Sequence, residues 1–176
     1  PHMPYKALIM AILISPMIVP LIITAAGMFF FYSQLGLTHT FTGLILAHTA
    51  LGTPFVVITV TATLTGFDTN LIRASQSLGA DTLRTFFKVI MPLILPGVIS
   101  GALFAFITSF DEVVVVLFIG SIEQVTIPKQ MWAGLRQETS PVILSMATCL
   151  VLLSIALLTT VELLRRRSER LRGIKV

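Results

Sequence analysis

Charged residues are scarce in this chain. Only 11% of its 176 residues are Asp, Glu, Lys or Arg, 55% are hydrophobic, and the mean hydropathy is +0.95. These values exclude an ordinary soluble globular domain and predict an all-α, polytopic membrane protein. A lone cysteine, Cys149, excludes an intramolecular disulfide. Although the sequence is basic, its basic residues flank apolar runs, so we expect contact with lipid and no nucleic-acid partner.

Motifs that carry chemistry are equally scarce. No GxxxxGK[ST] phosphate-binding loop occurs, so we expect no nucleotide hydrolysis and no catalytic residue in this chain. His48 has no second His, Cys or carboxylate nearby at metal-ligand spacing, so no metal site is expected. We interpret His48 as a hydrogen-bonded packing residue, with a proton relay as the alternative.

Four apolar runs are long enough to cross a bilayer, which takes about 20 helical residues. They cover residues 7–32, 41–66, 93–119 and 142–164. Pro16 and Pro20 in the first run and Pro54 in the second predict kinks or local breaks. Between the third and fourth runs, residues 127–135 are expected to form a short surface helix, with Trp132 at the membrane interface. Residues 1–3 resemble a cloning scar, which leaves 4–176 as one domain.

The basic residues predict the orientation of the chain. Lysines and arginines at the N-terminal flank, in the loop at 67–92 and in the tail number ten, against two between the third and fourth runs: Lys6, Arg73, Arg84, Lys88, Arg165, Arg166, Arg167, Arg170, Arg172 and Lys175, against Lys129 and Arg136. Positively charged loops stay in the cytoplasm, so both termini and the 67–92 loop are expected there.

The 67–92 loop, which we call the island, is polar and helix-like between apolar runs. Asp68 or Thr69 can cap a first helix, which Gly79 is suited to end in a left-handed conformation. Asp81 can cap a second helix, which we expect Pro92 to stop. A face with Leu71, Ala74, Ser75 and Leu78 recurs at helical spacing. The plain interpretation is an amphipathic linker on the lipid surface.

The island resembles the EAA loop of the permease subunits of bacterial binding-protein-dependent type I ABC importers. The resemblance is carried by six positions, with Arg73 standing where the family has Glu: Ala74, Ser75, Gly79, Val89, Met91 and Pro92. It implies a coupling helix that docks on a separate ATPase subunit, where ATP and Mg²⁺ would bind. The implied coupling residues are Leu71, Arg73, Ala74, Ser75, Leu78, Gly79 and Ala80.

The resemblance also implies partners and a larger protein. A second permease copy or paralogue, two ATPase subunits and a periplasmic binding protein would complete the importer, in the bacterial inner membrane. Because permeases of this family usually have more spans before this point, the chain is expected to be the C-terminal part of a longer permease. Behind the island, Gly97, Gly101 and Ala105 form a small-residue stripe. It predicts packing against another span of this chain or against the partner permease.

Two adjacent carboxylates, Asp111 and Glu112, lie inside the third apolar run. If the helix is continuous, both carboxylates lie beyond the midplane of the membrane, and Thr108 lies on the same face of the helix. A charged group in the hydrocarbon core is energetically costly, so we expect both carboxylates to face protein or water. The SFDEVV run at 109–114, with TIP at 126–128 and Met-Trp at 131–132, is similar to the spermidine/putrescine subclass of these permeases. Neighbouring residues on a helix point about 100° apart, so one of Asp111 and Glu112 is expected to face a cavity and the other a neighbouring helix. Polyamine passage would use such acidic groups, with cation–π attraction from Phe110 or Trp132.

Other interpretations stay open at this point. One carboxylate could pair with a Lys or Arg elsewhere, or cap a broken helix. The substrate could instead be another small amine, an amino-acid-like compound or an opine. From another class, a proton-coupled secondary carrier would use Asp111, Glu112 and His48 as its relay, and a non-transporting membrane scaffold would use none of them.

Overall fold

The computed structural model describes residues 4–137 and 141–171, and these residues form helices and short connections with no strand. The predicted scar at 1–3 and the tail cations Arg172 and Lys175 lie outside the described residues. In chain order the helices are α1 (Lys6–Ile18), α2 (Leu21–Gln34), α3 (Phe41–Thr65), α4 (Asn70–Ser77), α5 (Thr82–Thr85), a π-helical turn (Phe86–Ile90), α6 (Met91–Phe110), α7 (Val114–Ile119), α8 (Ile127–Gln137) and α9 (Pro141–Leu171).

Three helical segments are long and apolar enough to cross a membrane: Phe41–Thr65, the segment Thr82–Phe110, and Pro141–Thr160. The first predicted span is not one helix. Helices α1 and α2 meet at an angle of 112° and count as a fourth span only if the bent pair is taken together. Val19 is extended before Pro20, the conformation that a following proline favours, so the predicted break falls there. Pro16 and Pro54 lie inside continuous helices.

The entry to the third span differs from the prediction, because Pro92 does not stop the helix. The chain runs through it from α5 into α6 by way of the π-helical turn. In that wider turn the Met91 N–H bonds the carbonyl of Phe86, five residues back. A proline has no N–H for the usual bond four residues back, and a π turn just before it accommodates that loss.

The other end of the third span also differs, because the predicted helix over 93–119 is interrupted. Helix α6 ends at Phe110, and α7 begins only at Val114. Helix α7 packs on α2, and its residues Val115, Val116 and Ile119 are fully buried. The His39 N–H donates to the Ile119 carbonyl over 2.8 Å, which ties the end of α7 to the α2–α3 connection.

The small-residue stripe packs within the chain, as one of the two interpretations predicts. Helices α3 and α6 form the most extensive contact between elements of the described fold. A methyl group added at Gly101 would lie 2.7 Å from the Cα of Val56, and one at Gly97 would lie 3.0 Å from the carbonyl oxygen of Thr59. From the other side, a methyl at Gly52 would lie 2.9 Å from the Cβ of Ala105. The two backbones therefore approach each other as only small residues allow.

The α3–α6 contact predicts the effect of adding a single methyl group. Gly101→Ala should lower the free energy of unfolding of the detergent-purified protein by about 1–3 kcal/mol. The added methyl group would meet the Thr59 hydroxyl and two main-chain atoms, the Val56 Cα and the Phe55 carbonyl oxygen, and main-chain atoms cannot turn aside. Gly27→Ala is the matched control. Nothing lies within 4 Å of that position, and alanine favours the helix. The stability of both variants is measured as the loss of monodisperse protein on heating. Equal stability of Gly101→Ala and Gly27→Ala would refute the close approach of α3 and α6 at Gly101.

Candidate functional site

A cleft of about 770 Å³ lies between α3, the end of α6 and the segment that leads into α8. Its volume falls in the range of about 300–1,000 Å³ that is typical of ligand pockets. The lining residues are mostly apolar with a few polar groups: Phe41, Leu44, Ile45, His48, Thr49, Phe106, Ser109, Phe110, Glu123, Gln124, Val125, Thr126, Ile127 and Pro128. Its size and its mixed lining make the cleft a candidate binding site.

A hydrogen bond between α3 and α6 stands in the wall of the cleft. His48 Nδ1 and Ser109 Oγ lie 2.8 Å apart, and both side chains are partly buried. The interpretation of His48 as a hydrogen-bonded packing residue is therefore confirmed. The same bond brings two polar groups, 61 positions apart in the sequence, to one place on an otherwise apolar surface.

Aromatic rings form much of the remaining wall. Phe106 and Phe110 lie one turn apart on α6, with ring centroids 5.5 Å apart and planes at 28°. Phe41, at the start of α3, is exposed and lines the same cleft. Phe110, one of the residues predicted for a substrate pathway, also lines this cleft. Thr108 and Trp132 do not line the cleft. Thr108 is half-buried, and Trp132 is partly exposed on α8, the predicted surface helix.

The prediction that Asp111 and Glu112 lie within one continuous helix is wrong, because α6 ends at Phe110. Glu112 is only 6% exposed, and its Oε1 accepts the backbone N–H of Val115 over 2.8 Å. The carboxylate thus satisfies a free donor in the first turn of α7, the helix-capping alternative. Asp111 is exposed and lines a different, smaller cavity of about 120 Å³ toward Ser154 and Leu158 of α9. Neither carboxylate lines the large cleft.

The carboxylate that does line the cleft is Glu123, which the sequence analysis did not select. It lies in the irregular segment between α7 and α8, where no helical spacing assigns a direction to a side chain. One feature of the sequence could have indicated Glu123: it lies three residues before Thr126-Ile127-Pro128, a run that carries part of the family resemblance.

The second candidate surface is the island. Helix α4 ends as predicted at Gly79, whose φ is +81°. The Gly79 N–H bonds the Gln76 carbonyl over 2.9 Å, and the Ala80 N–H bonds the Ser75 carbonyl over 3.1 Å. These two bonds define a Schellman motif, which needs a residue with positive φ at the glycine position. Asp81 caps the next helix through the Arg84 N–H, at 2.7 Å, also as predicted.

Most of the predicted coupling residues lie on the surface of the island. Leu78 is 88% exposed and Leu71 is 41% exposed, a large apolar area for a short polar helix. Exposed beside them are Arg73, Ala74 and Gly79, whereas Ala80 is half-buried. Of the two predicted caps at the helix start, Asp68 is the one that acts, since its Oδ1 accepts the Asn70 N–H over 2.9 Å.

Ser75 points the other way, which corrects its predicted place on the outer face. Its side chain is 8% exposed, and its Oγ lies 2.9 Å from the Oγ1 of Thr85, itself 3% exposed. The small residue at this position therefore serves contact inside the protein. The bond fastens α4 to α5, which continues into the third span, so the island and that span are physically joined.

Comparison with known proteins assigns this architecture to a family. The family model for the binding-protein-dependent transport system inner membrane component matches residues 2–170. The chain therefore belongs to that family of transport components and is a multi-pass protein of the inner membrane.

Three relatives are named for the transport of different compounds. The spermidine/putrescine transport system permease protein PotC of Haemophilus influenzae is 31% identical over 164 residues, 93% of this chain and 64% of the relative. The putrescine transport system permease protein PotI of Escherichia coli is 32% identical over 106 residues, 60% and 38% respectively. The osmoprotective compounds uptake permease protein GgtD of Synechocystis is 34% identical over 114 residues, 65% and 38%. The chain thus spans less than two thirds of the length of these relatives.

The capping role of Glu112 predicts different effects for two substitutions. Glu112→Ala leaves the buried Val115 N–H without an acceptor and should destabilise the protein by about 1–3 kcal/mol. Glu112→Gln retains an acceptor oxygen and should cost less. Asp111→Asn, an exposed neighbour, is the control and should change stability by less than about 0.5 kcal/mol. Thermal unfolding in detergent measures all three. A Glu112→Gln variant as unstable as Glu112→Ala would refute the capping role.

Proposed function

We propose that this chain is part of the permease subunit of an ATP-driven type I ABC importer whose cargo is a polyamine. The observation that carries the proposal is the island, a short exposed helix with apolar anchors that is fastened to a membrane span by a buried hydrogen bond. Membership of a binding-protein-dependent transport family supports it. The proposed partners are two ATPase subunits that carry ATP and Mg²⁺, a second permease and a periplasmic binding protein.

The mechanism follows from the rigidity of the connection. Leu71 and Leu78 would sit in a cleft of the ATPase, and closure of the ATPase pair on ATP would displace α4. The Ser75–Thr85 bond would pass that displacement to α5 and the third span. Because α6 packs closely on α3, the two helices would move together and change the access of the large cleft. Arg73, in place of the family's Glu, is exposed and would meet the ATPase surface directly.

The proposed orientation places the island and both ends of this chain in the cytoplasm. Ten lysines and arginines on that side against two on the other favour it. The terminal basic cluster would contact anionic lipid at the cytoplasmic surface. The segment between α7 and α8, and with it one end of the cleft, would then lie toward the periplasm, where a binding protein delivers its cargo.

Polyamines are the favoured cargo because two relatives are named for spermidine or putrescine transport. The chemistry of the cleft also suits them, since aromatic rings and a carboxylate attract ammonium groups while apolar walls accept the methylene chain. Other small amines, amino-acid-like compounds or opines are the alternative cargo, in keeping with a relative named for osmoprotective compounds.

Energy coupling tests the proposed function. In cells that express the complete importer and lack other polyamine uptake, ATP depletion should abolish uptake of labelled putrescine. An uncoupler should leave it largely intact while ATP is maintained. The reverse pattern would identify a proton-coupled carrier, and uptake of neither putrescine nor spermidine would reject the polyamine assignment.

A matched pair of variants tests the docking surface in the same cells. Leu78→Asp places a charge directly after the end of α4, at an apolar side chain that is 88% exposed, and should reduce both copurification of the ATPase and uptake. Leu78→Met keeps an apolar side chain of similar volume and should preserve both. Normal uptake by Leu78→Asp, at equal membrane expression, would show that this surface does not dock.

A further inference from the structure

The large cleft has one charged wall. Among the described residues that line it, Glu123 is the one with a formal charge at neutral pH. Its side chain is exposed and makes no ion pair or side-chain hydrogen bond within the described part of the chain. The other polar groups of the wall are already engaged. His48 bonds Ser109, and the Gln124 amide oxygen bonds a backbone N–H. The carboxylate of Glu123 therefore remains available for a ligand.

A network of hydrogen bonds holds the backbone on both sides of this carboxylate. The Ser121 N–H donates to Gln124 Oε1 over 2.9 Å, and the Gln124 N–H donates back to Ser121 Oγ over 3.2 Å. Lys129 Nζ then donates to the carbonyls of Ser121, at 2.8 Å, and Gln124, at 3.1 Å. Gln124 is only 7% exposed. Glu123 thus projects from a cross-linked turn, although the segment belongs to no helix.

Lys129, the nearest lysine in the sequence, does not neutralise the carboxylate of Glu123. The ammonium group of Lys129 is directed at two carbonyl oxygens, and its side chain lines a separate cavity with Ser121, Ile122 and Ala133. Lys129 is absent from the lining of the large cleft. The charge of Glu123 consequently faces a space walled by Phe41, Phe106 and Phe110, without an arginine or lysine among its described lining residues.

We infer that Glu123 is a specificity-determining residue that binds an ammonium group of the cargo in this cleft. The inference rests on the proposed function and deepens it by assigning a residue to cation selection. A charge-assisted N–H···O bond to the carboxylate would hold one end of an aliphatic amine. The phenylalanine faces would add cation–π attraction and accept the methylene chain. Neither of the other two carboxylates of this region lines the cleft, since Asp111 faces the smaller cavity toward α9 and Glu112 caps α7.

Uptake kinetics of the complete importer test the inference. Glu123→Gln keeps the shape of the side chain and removes its charge, so the KM for putrescine should rise roughly tenfold or more with little change in maximal rate. Glu123→Asp should stay near the wild type. Because the residue is exposed in an irregular segment, both variants should fold. An unchanged KM in Glu123→Gln would overturn the inference.

Chemical restoration of the charge provides a second measurement. In a Cys149→Ala background, Glu123→Cys should regain affinity for putrescine after reaction with a negatively charged methanethiosulfonate and not after reaction with a trimethylammonium one. Ile122→Cys is the matched control. Ile122 is 94% exposed and lines the other cavity, so neither reagent should alter the KM there. Failure of Glu123→Cys to react in the assembled importer would show that protein covers the cleft, which would also overturn the inference.

A binding assay separates this inference from the proposed function. The purified permease should be stabilised against heat by putrescine and not by 1,4-butanediol, its neutral analogue of equal chain length. Glu123→Gln should lose that stabilisation. Stabilisation that depends on Glu123, without ATP-dependent uptake, would reject the proposed function and support the cation site. ATP-dependent uptake without an effect of Glu123→Gln in either assay would support the proposed function and reject the cation site.

Discussion

Close packing of α3 against α6 organises the described part of the structure. Gly52, Gly97 and Gly101 let the two helical backbones approach until an added methyl group would meet main-chain atoms or a neighbouring Cβ. In a bilayer, lipid is as apolar as a leucine side chain, so association of spans relies on such close packing. The pair forms one stiff unit that reaches from the island at one end to the large cleft at the other.

At each end of this unit a side-chain hydrogen bond joins two helices, between residues 61 positions apart at the cleft and ten positions apart at the island. At the cleft, His48 on α3 bonds Ser109 on α6. At the island, Ser75 bonds Thr85 just before the π-helical turn. The Ser75–Thr85 bond is buried, so loss of either partner there would leave a polar group unsatisfied, whereas the His48–Ser109 bond is only partly buried. The α3–α6 packing and these two hydrogen bonds therefore connect the island to the large cleft.

Local signals in the sequence predicted the local features, and long-range contacts decided the remainder. Apolar runs predicted the three membrane-length helical segments but missed the break in the third run, whereas the prolines of the first run predicted the bend there. Gly79 and Asp81 predicted the helix end and the cap of the island, because these depend on neighbouring residues alone. The direction of Ser75 depends on Thr85 ten positions later. The break at Asp111 depends on the packing of α7 against α2, because burial of α7 offsets the helical hydrogen bonds that are lost where α6 ends. Glu123 lies in an irregular segment, where periodicity carries no information about side-chain direction.

We propose that the Ser75–Thr85 hydrogen bond passes movement of the island to the third span. A double-mutant cycle in the complete importer tests this coupling, with putrescine molecules transported per ATP hydrolysed as the measurement. Ser75→Ala and Thr85→Val should each lower this ratio roughly two- to tenfold, and the double variant should be no worse than either single one. Ser77→Ala, which removes an exposed hydroxyl bonded only within α4, should leave the ratio unchanged. Additive losses, or a wild-type ratio in the single variants at normal expression, would show that the bond does not transmit the movement.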